Sequence, residues 1–160
     1  MRGGIYLLLG SNLGDRSQNL ARARDLIGAV MASSLTYVTG AWGNTEQPDF
    51  YNQVIEVDSQ LPPQDLLKTL LGIEETMGRV RSEKWGPRII DIDILFYRDV
   101  IIKSERLTIP HPEIQNRKFT LIPMNELAPS MMHPILKKTI HQLTEECSDT
   151  LEVKRLPPQH

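Results

Sequence analysis

Asp91 and Asp93 stand inside a run of isoleucines, I-I-D-I-D-I-L-F, beginning at Ile89. In a β-strand alternate side chains share a face, so these two carboxylates lie side by side. Asp is depleted in strands, and a pair of them set among Ile points to a use beyond folding. Side-by-side carboxylates suit a hard divalent cation such as Mg²⁺, which takes a carboxylate or two together with waters and phosphate oxygens. Just upstream, R-V-R-S-E-K-W-G-P-R crowds Arg79, Arg81, Lys84 and Arg88 around Trp85 and a Gly-Pro turn. Guanidinium forks match phosphate oxygens, and the indole offers a flat stacking surface for a base. Alternating I-D-I-D-I is also the pattern of a half-exposed edge strand, and a charged loop is commonly just solvated. Taken together, the carboxylate pair and the basic loop read as a metal–nucleotide phosphoryl-transfer site.

Three further clusters carry polar chemistry. In R-L-T-I-P-H-P, from Arg106 to Pro112, the flanking prolines fix the backbone around His111. Arg117, Lys118 and Phe119 follow closely and add phosphate donors and one ring. In E-Q-P-D-F-Y-N, from Glu46 to Asn52, Phe50 and Tyr51 read equally well as core. Asn52, at a strand start, has two donors and an acceptor with which to read the edge of a flat heterocycle. The segment G-S-N-L-G-D, from Gly10 to Asp15, lacks the Lys of a phosphate-binding loop and signals a strand-to-helix turn.

The elements that must position these residues follow from periodicity and breakers. Ile5 to Leu9 reads as a buried strand ending at Gly10-Ser11-Asn12. Asp15 or Ser17 caps a helix whose apolar positions are Leu20, Ala23, Ile27 and Val30. Leu35–Thr39 and Tyr51–Asp58 read as strands, separated by a loop from Gly40 to Asp49. Pro62-Pro63 opens a second helix, with Leu66, Leu67, Leu70, Leu71 and Met77 inward and a stop near Gly78. The Asp-bearing strand runs from about Ile90 to Tyr97, with Val100 to Ile102 expected to pair with it as a hairpin. The order β-α-β-β-α-β predicts an α+β sheet of ferredoxin-like type. Between Pro110 and Pro134 the prolines predict only short helical turns. Leu136–Glu146 is expected as a last helix and Leu151–Lys154 as an edge strand.

Composition bounds the function classes. A chain of 160 residues is read as one domain, 1–160. Its formal net charge of −2 argues against a general polyanion-binding surface, so phosphate affinity must come from a local cluster. The single Cys147 forbids an intrachain disulfide and fits a reducing cytoplasm. No apolar run approaches a membrane span, and no secretion signal is visible. Aromatic residues, at 6%, are too sparse for the stacking sheet of an RNA binder. The expectation is a cytoplasmic monomer with small-molecule partners, no nucleic acid and no membrane.

In order along the chain, these segments resemble the 6-hydroxymethyl-7,8-dihydropterin pyrophosphokinase family. L-G-S-N-L-G-D, Q-P-D-F-Y-N, G-R-V-R-S-E-K-W-G-P-R-I-I-D-I-D-I-L, R-L-T-I-P-H-P and N-R-K-F-T-L-I-P-M-N-E-L-A-P carry the likeness, from about residue 7 to 129. It implies a three-layer α/β/α fold on a ferredoxin-like core, with short helices towards the C-terminus. It also implies transfer of an intact pyrophosphoryl group from ATP to the pterin hydroxymethyl group, releasing AMP. By that resemblance Asp91 and Asp93 hold two Mg²⁺ ions. Asp93 is then a candidate acceptor of the hydroxyl proton, the alternative being that a metal alone acidifies it. Arg79 and Arg88 match catalytic-loop arginines. Glu74, Arg81, Trp85, Ile94, Arg106, Thr108, His111 and Arg117 match positions near ATP. Phe50 and Phe119 match the rings that sandwich the pterin, Asn52 the amide that reads its edge, and Thr39 and Trp42 the backbone lining of that pocket. Gly40–Asp49 and Gly78–Pro87 are the candidate closing loops. Ile89, Pro112 and Glu113 depart from common family residues without touching the carboxylates or the pterin rings. The competing reading is a non-catalytic, ferredoxin-like nucleotide-binding regulatory module.

Overall fold

The computed structural model describes residues 4–40, 48–78 and 89–157. Strand β1 (Ile5–Ser11) is buried at every position. It leads into helix α1 (Arg16–Ile27), whose first turn is capped by the Asp15 carboxylate accepting from the Gln18 N–H at 3.1 Å. Two short strands follow, β2 (Val30–Ser33) and β3 (Tyr37–Thr39), then β4 (Phe50–Val57), helix α2 (Pro63–Thr76) and β5 (Asp91–Tyr97). The chain continues through β6 (Ile102–Lys103), β7 (Thr108–Ile109), a 3₁₀ turn at Ile114–Asn116, α3 (Lys118–Leu127), α4 (Ile140–Glu146) and β8 (Val153–Arg155).

The main sheet has the order β5-β1-β4-β3-β8, with β2 also on β4, and its neighbours pair antiparallel. This is the expected ferredoxin-like core. β2 lies against Val57 to Ile55 and β3 against Asn52 to Phe50, so together they fill one strand position beside β4. α1 and α2 each bridge two strands with a third between them. Right-handed crossovers put both helices on one face.

Strand alternation divides the core in two. Ile5, Leu7 and Leu9 join Ile92 and Ile94 under α1 and α2, through Leu20, Ala23, Leu66, Leu70 and Ile73. Tyr6, Leu8 and Val54 face the other way, with Phe96, against Leu121 and Met124 of α3 and Ile140 and Leu143 of α4. The result is the three-layer α/β/α arrangement. Each fully buried Leu or Ile contributes about 1.5–3 kcal/mol by area removed from water, so both layers are needed to hold the sheet.

Several expectations are corrected. Val30 is not the last turn of α1 but the start of β2: Gly28 and Ala29 both take positive φ, at 69° and 49°, and stop the helix. Val100 to Ile102 does not pair with the Asp-bearing strand. Ile102 pairs with Ile109 of β7 instead, because Ser104 closes a turn with Leu107 through both its backbone and its hydroxyl. The proline-rich stretch holds a ten-residue helix, α3, despite Pro123 in its interior. Pro123 cannot donate to the carbonyl of Phe119, and burial of Thr120, Leu121 and Met124 against the sheet outweighs that loss. The last helix begins at Ile140 rather than Leu136, capped by Thr139 and Gln142 in reciprocal hydrogen bonds, and the last strand is Val153–Arg155.

Candidate functional site

Register decides which predicted residues meet. Gly10 of β1 pairs with Asn52 on one side and with Asp91 on the other, and Asn52 pairs in turn with Tyr37. Directly opposed residues of antiparallel strands point to the same face. Asp91, Gly10, Asn52 and Tyr37 therefore form one row across the sheet. The adjacent row is Asp93, Leu8 and Val54, and the row beyond Asn52 is Phe50 and Thr39. Leu8 and Val54 lie in the layer beneath α3 and α4, which assigns all three rows to that face. The side-by-side carboxylates are thus on the same surface as the amide and aromatic ring from β4. Asp91 and Asp93 are both partly exposed, although they are flanked by buried Ile90, Ile92 and Ile94.

Asn52 is 4% exposed, and its Nδ2 donates to the Thr39 hydroxyl at 2.8 Å. That bond fixes the plane of the amide and leaves its second N–H and its carbonyl for another partner. Phe119, in the first turn of α3, packs against the same apolar layer as Leu8 and Val54. The Arg117 guanidinium lies over its ring at 5.6 Å from the centroid. One aromatic therefore comes from β4 and one from the helix that covers this face.

The remaining predicted residues gather along the outer edge of β5. Glu74 of α2, 3% exposed, accepts from the Ile92 N–H at 2.7 Å. Its carboxylate thus caps an edge-strand donor between the two aspartates. The His111 N–H donates to the Leu95 carbonyl at 3.0 Å, and β7, with Thr108, packs alongside. Arg106 is exposed at the turn before β7. The His111 Nδ1 accepts from the Glu113 N–H at 3.1 Å, which puts the ring proton on Nε2. Burial, and then the nearby Arg117 charge, hold His111 down to a pKa of about 4 against the pull of Glu113, so the ring is neutral. The Ile94 side chain points to the opposite face, buried under α1 and α2. Arg79, Arg81, Trp85, Arg88 and Trp42, with most of both candidate closing loops, lie outside the described residues.

Sequence reasoning passed over the residues that support this face. Ser11 and Asn12 are fully buried, and the Asn12 Nδ2 donates to the Pro48 carbonyl at 3.3 Å. Arg16 donates to the Asp49 carbonyl at 2.7 Å and stacks over the Tyr51 ring at 4.0 Å. The G-S-N-L-G-D turn thereby fastens the segment that leads into Phe50 and Asn52. On the far side Glu126 of α3 accepts from the Tyr37 hydroxyl at 2.6 Å and from the Leu35 N–H, tying α3 to β3. Burial first and the Glu126 carboxylate second push Tyr37 up to about 12. Polar side chains in an otherwise apolar opening were the signal available for Ser11 and Asn12. Nothing in the spacing marked Glu126.

Among the described residues, no group of three or more His, Cys, Asp or Glu is placed to hold a metal. Two carboxylates alone fit Mg²⁺, whose other positions are ordinarily taken by water and substrate phosphates. They do not fit a closed structural zinc site.

A sequence model of the 7,8-dihydro-6-hydroxymethylpterin-pyrophosphokinase family matches residues 6–129. The chain belongs to this family. As a pterin pyrophosphokinase it is an ATP-dependent enzyme that transfers pyrophosphate from ATP to a dihydropterin in folate biosynthesis. Among its relatives is a 2-amino-4-hydroxy-6-hydroxymethyldihydropteridine pyrophosphokinase of Methylorubrum extorquens, 43% identical over 79% of this chain and 84% of the relative. The Aquifex aeolicus enzyme of the same description is 38% identical over 89% of this chain and 91% of its own length. A folic acid synthesis protein of Dictyostelium discoideum is 38% identical over 96% of this chain but only 24% of that longer protein. Among solved structures, wild-type Plasmodium falciparum HPPK-DHPS with pteroate superposes with a TM-score of 0.70 over 91% of this pterin pyrophosphokinase and 45% of that chain. At 17% identity that likeness shows the shared fold. No helix of the described residues is long and apolar enough to cross a membrane.

Proposed function

We propose that the transfer takes place above β5, with 6-hydroxymethyl-7,8-dihydropterin lying between Phe50 and Phe119 and ATP along the outer edge of the strand. The observation that carries this reading is the row Asp91–Gly10–Asn52, which sets metal-type carboxylates and a heterocycle-reading amide on one face. Asn52, oriented by Thr39, reads the pterin edge, and the backbone near Thr39 and Trp42 lines the pocket. Asp91 and Asp93 would hold two Mg²⁺ ions, which when bound neutralise the triphosphate. Arg106, Thr108, His111 and Arg117 line the nucleotide side. The neutral His111 offers its Nε2–H as a donor to a phosphate or hydroxyl oxygen. Glu74 acts through the Ile92 amide and Ile94 through its main chain, since both side chains are buried. Arg79 and Arg88 assist transfer or product release, and Arg81 and Trp85 complete the ATP site.

The chemistry asks little covalent work of the protein. The acceptor oxygen attacks the β-phosphorus in line while AMP leaves, so positioning and charge neutralisation supply most of the acceleration. Asp93 is the candidate to receive the hydroxyl proton. Both substrate walls come from this one chain, in keeping with a monomer, and the lone free Cys147 fits the cytoplasm. Asp93→Ala tests the assignment: it should abolish transfer and Mg²⁺-dependent binding of a non-hydrolysable ATP analogue while the protein stays folded. Turnover like wild type from a folded Asp93→Ala protein would remove the metal role.

A further inference from the structure

Gly10 lies within β1, a strand paired on both sides, and its backbone is extended rather than left-handed. No turn calls for glycine there, and a strand-interior glycine costs about 0.5–1 kcal/mol relative to alanine. Space is the remaining reason. A Cβ at this position would stand 3.0 Å from the Asn52 Oδ1 and 3.7 Å from the Phe50 Cδ1, its nearest described neighbours. The first distance is tight enough that the Asn52 amide must yield by a few tenths of an ångström.

Adjacent strands lie about 4.8 Å apart, so Asp91 and Asn52 face each other across Gly10 with about 10 Å between their backbones. Between them on this face the strand presents bare main chain. We propose that Gly10 is a substrate-positioning residue: its missing side chain leaves the floor over which the acceptor's alcohol-bearing arm passes from the Asn52 amide to the Asp91 and Asp93 carboxylates. A methyl group there both stands in that path and turns the amide that aligns the heterocycle. Neither effect reaches the outer edge of β5, where Glu74 and His111 make their contacts. The proposal rests on the assignment of Asn52 to the pterin.

The test compares Gly10→Ala and Asn52→Ala with the wild-type enzyme, measuring the Kd for 6-hydroxymethyl-7,8-dihydropterin, the Kd for a Mg²⁺-bound non-hydrolysable ATP analogue, and kcat. Gly10→Ala should weaken pterin binding about tenfold and lower kcat by about a further tenfold, because misplacement by a fraction of an ångström is costly in a bimolecular transfer. Nucleotide affinity should stay within about twofold, a split that general loss of structure does not produce. Pterin affinity and kcat near wild type in Gly10→Ala, with binding lost in Asn52→Ala, would overturn the role of Gly10 alone. Unchanged pterin binding in Asn52→Ala would instead overturn the pterin assignment and the proposal with it. Should Gly10→Ala not fold, the double variant with Asn52→Ser removes the atom that the methyl group meets. Pterin affinity weaker than that of the Asn52→Ser single variant then upholds the proposal. Equal affinity, or continued failure to fold, overturns it.

Discussion

Acid should loosen the corner of the protein built around His111, by an amount set by its surroundings. The ring titrates at about 4 instead of 6.5, because burial and then the Arg117 charge oppose its protonation more than Glu113 favours it. Between those values the unfolded chain takes up a proton that the native state refuses. The contribution to stability is therefore complete above 6.5 and lost as pH falls towards 4. The difference, 6.5 − 4, is 2.5 units, or about 3.4 kcal/mol at 1.36 kcal/mol per unit. His111 is only partly buried by area, so solvent screening reduces this to about 2 kcal/mol. For a chain of this size that is a shift of about 4–8 °C in midpoint. His133 is also held below its ordinary range by burial, so the wild-type profile alone mixes two rings. The assay is therefore the difference in unfolding free energy between wild type and His111→Asn, in which His133 cancels, from about pH 7 to about pH 4.5. The wild-type advantage should shrink by about 1.5 kcal/mol across that range, which stops short of full protonation of the folded ring. A difference that stays constant would refute the argument that the surroundings hold this ring neutral.

Two other substitutions probe the walls of the site. Glu74→Ala leaves the buried Ile92 N–H without its acceptor and should cost about 2–3 kcal/mol in denaturant titrations, while Glu74→Gln, which keeps an acceptor oxygen, should cost less than half of that. Equal stability of the two variants would mean that the hydrogen bond is not what Glu74 supplies. Arg88→Ala should slow turnover about a hundredfold with little change in pterin affinity, as expected of a group that acts on the transferring phosphoryl charge. Matching losses in turnover and pterin affinity would move Arg88 into the pterin pocket.

Much of this molecule was legible from residue pattern, and the failures have physical causes. I-D-I-D-I fixes both the strand and the face of its carboxylates, because a period of two has no alternative once the Ile side is buried. The helix ending before Val30 was signalled by Gly28, but the apolar period runs on through the stop and suggests another turn. α3 was hidden by Pro123, since propensity charges the full loss of a hydrogen bond and cannot see the sheet that Leu121 and Met124 cover. The pairing of β6 with β7 depends on the Ser104 hydroxyl closing its turn, a local bond that competes with the hairpin expected of Val100 to Ile102. At the site, residue type singled out Asn52 while Phe50 read equally well as core and was marked only by the family resemblance, and only the register placed both in rows beside Asp91 and Asp93. Glu126 is 89 residues from Tyr37 in sequence, so no spacing rule connects them. Gly10 looked like the end of a strand because the space it leaves open belongs to neighbours on another strand.

Transfer of a whole pyrophosphoryl group to the pterin is what separates this enzyme from a single-phosphoryl kinase. Its most direct measurement is nucleotide product analysis with ATP, Mg²⁺ and 6-hydroxymethyl-7,8-dihydropterin, set against a reaction without pterin. AMP formed in step with pterin diphosphate, and absent without pterin, is the predicted result. ADP as the product, or AMP released equally without pterin, would contradict it.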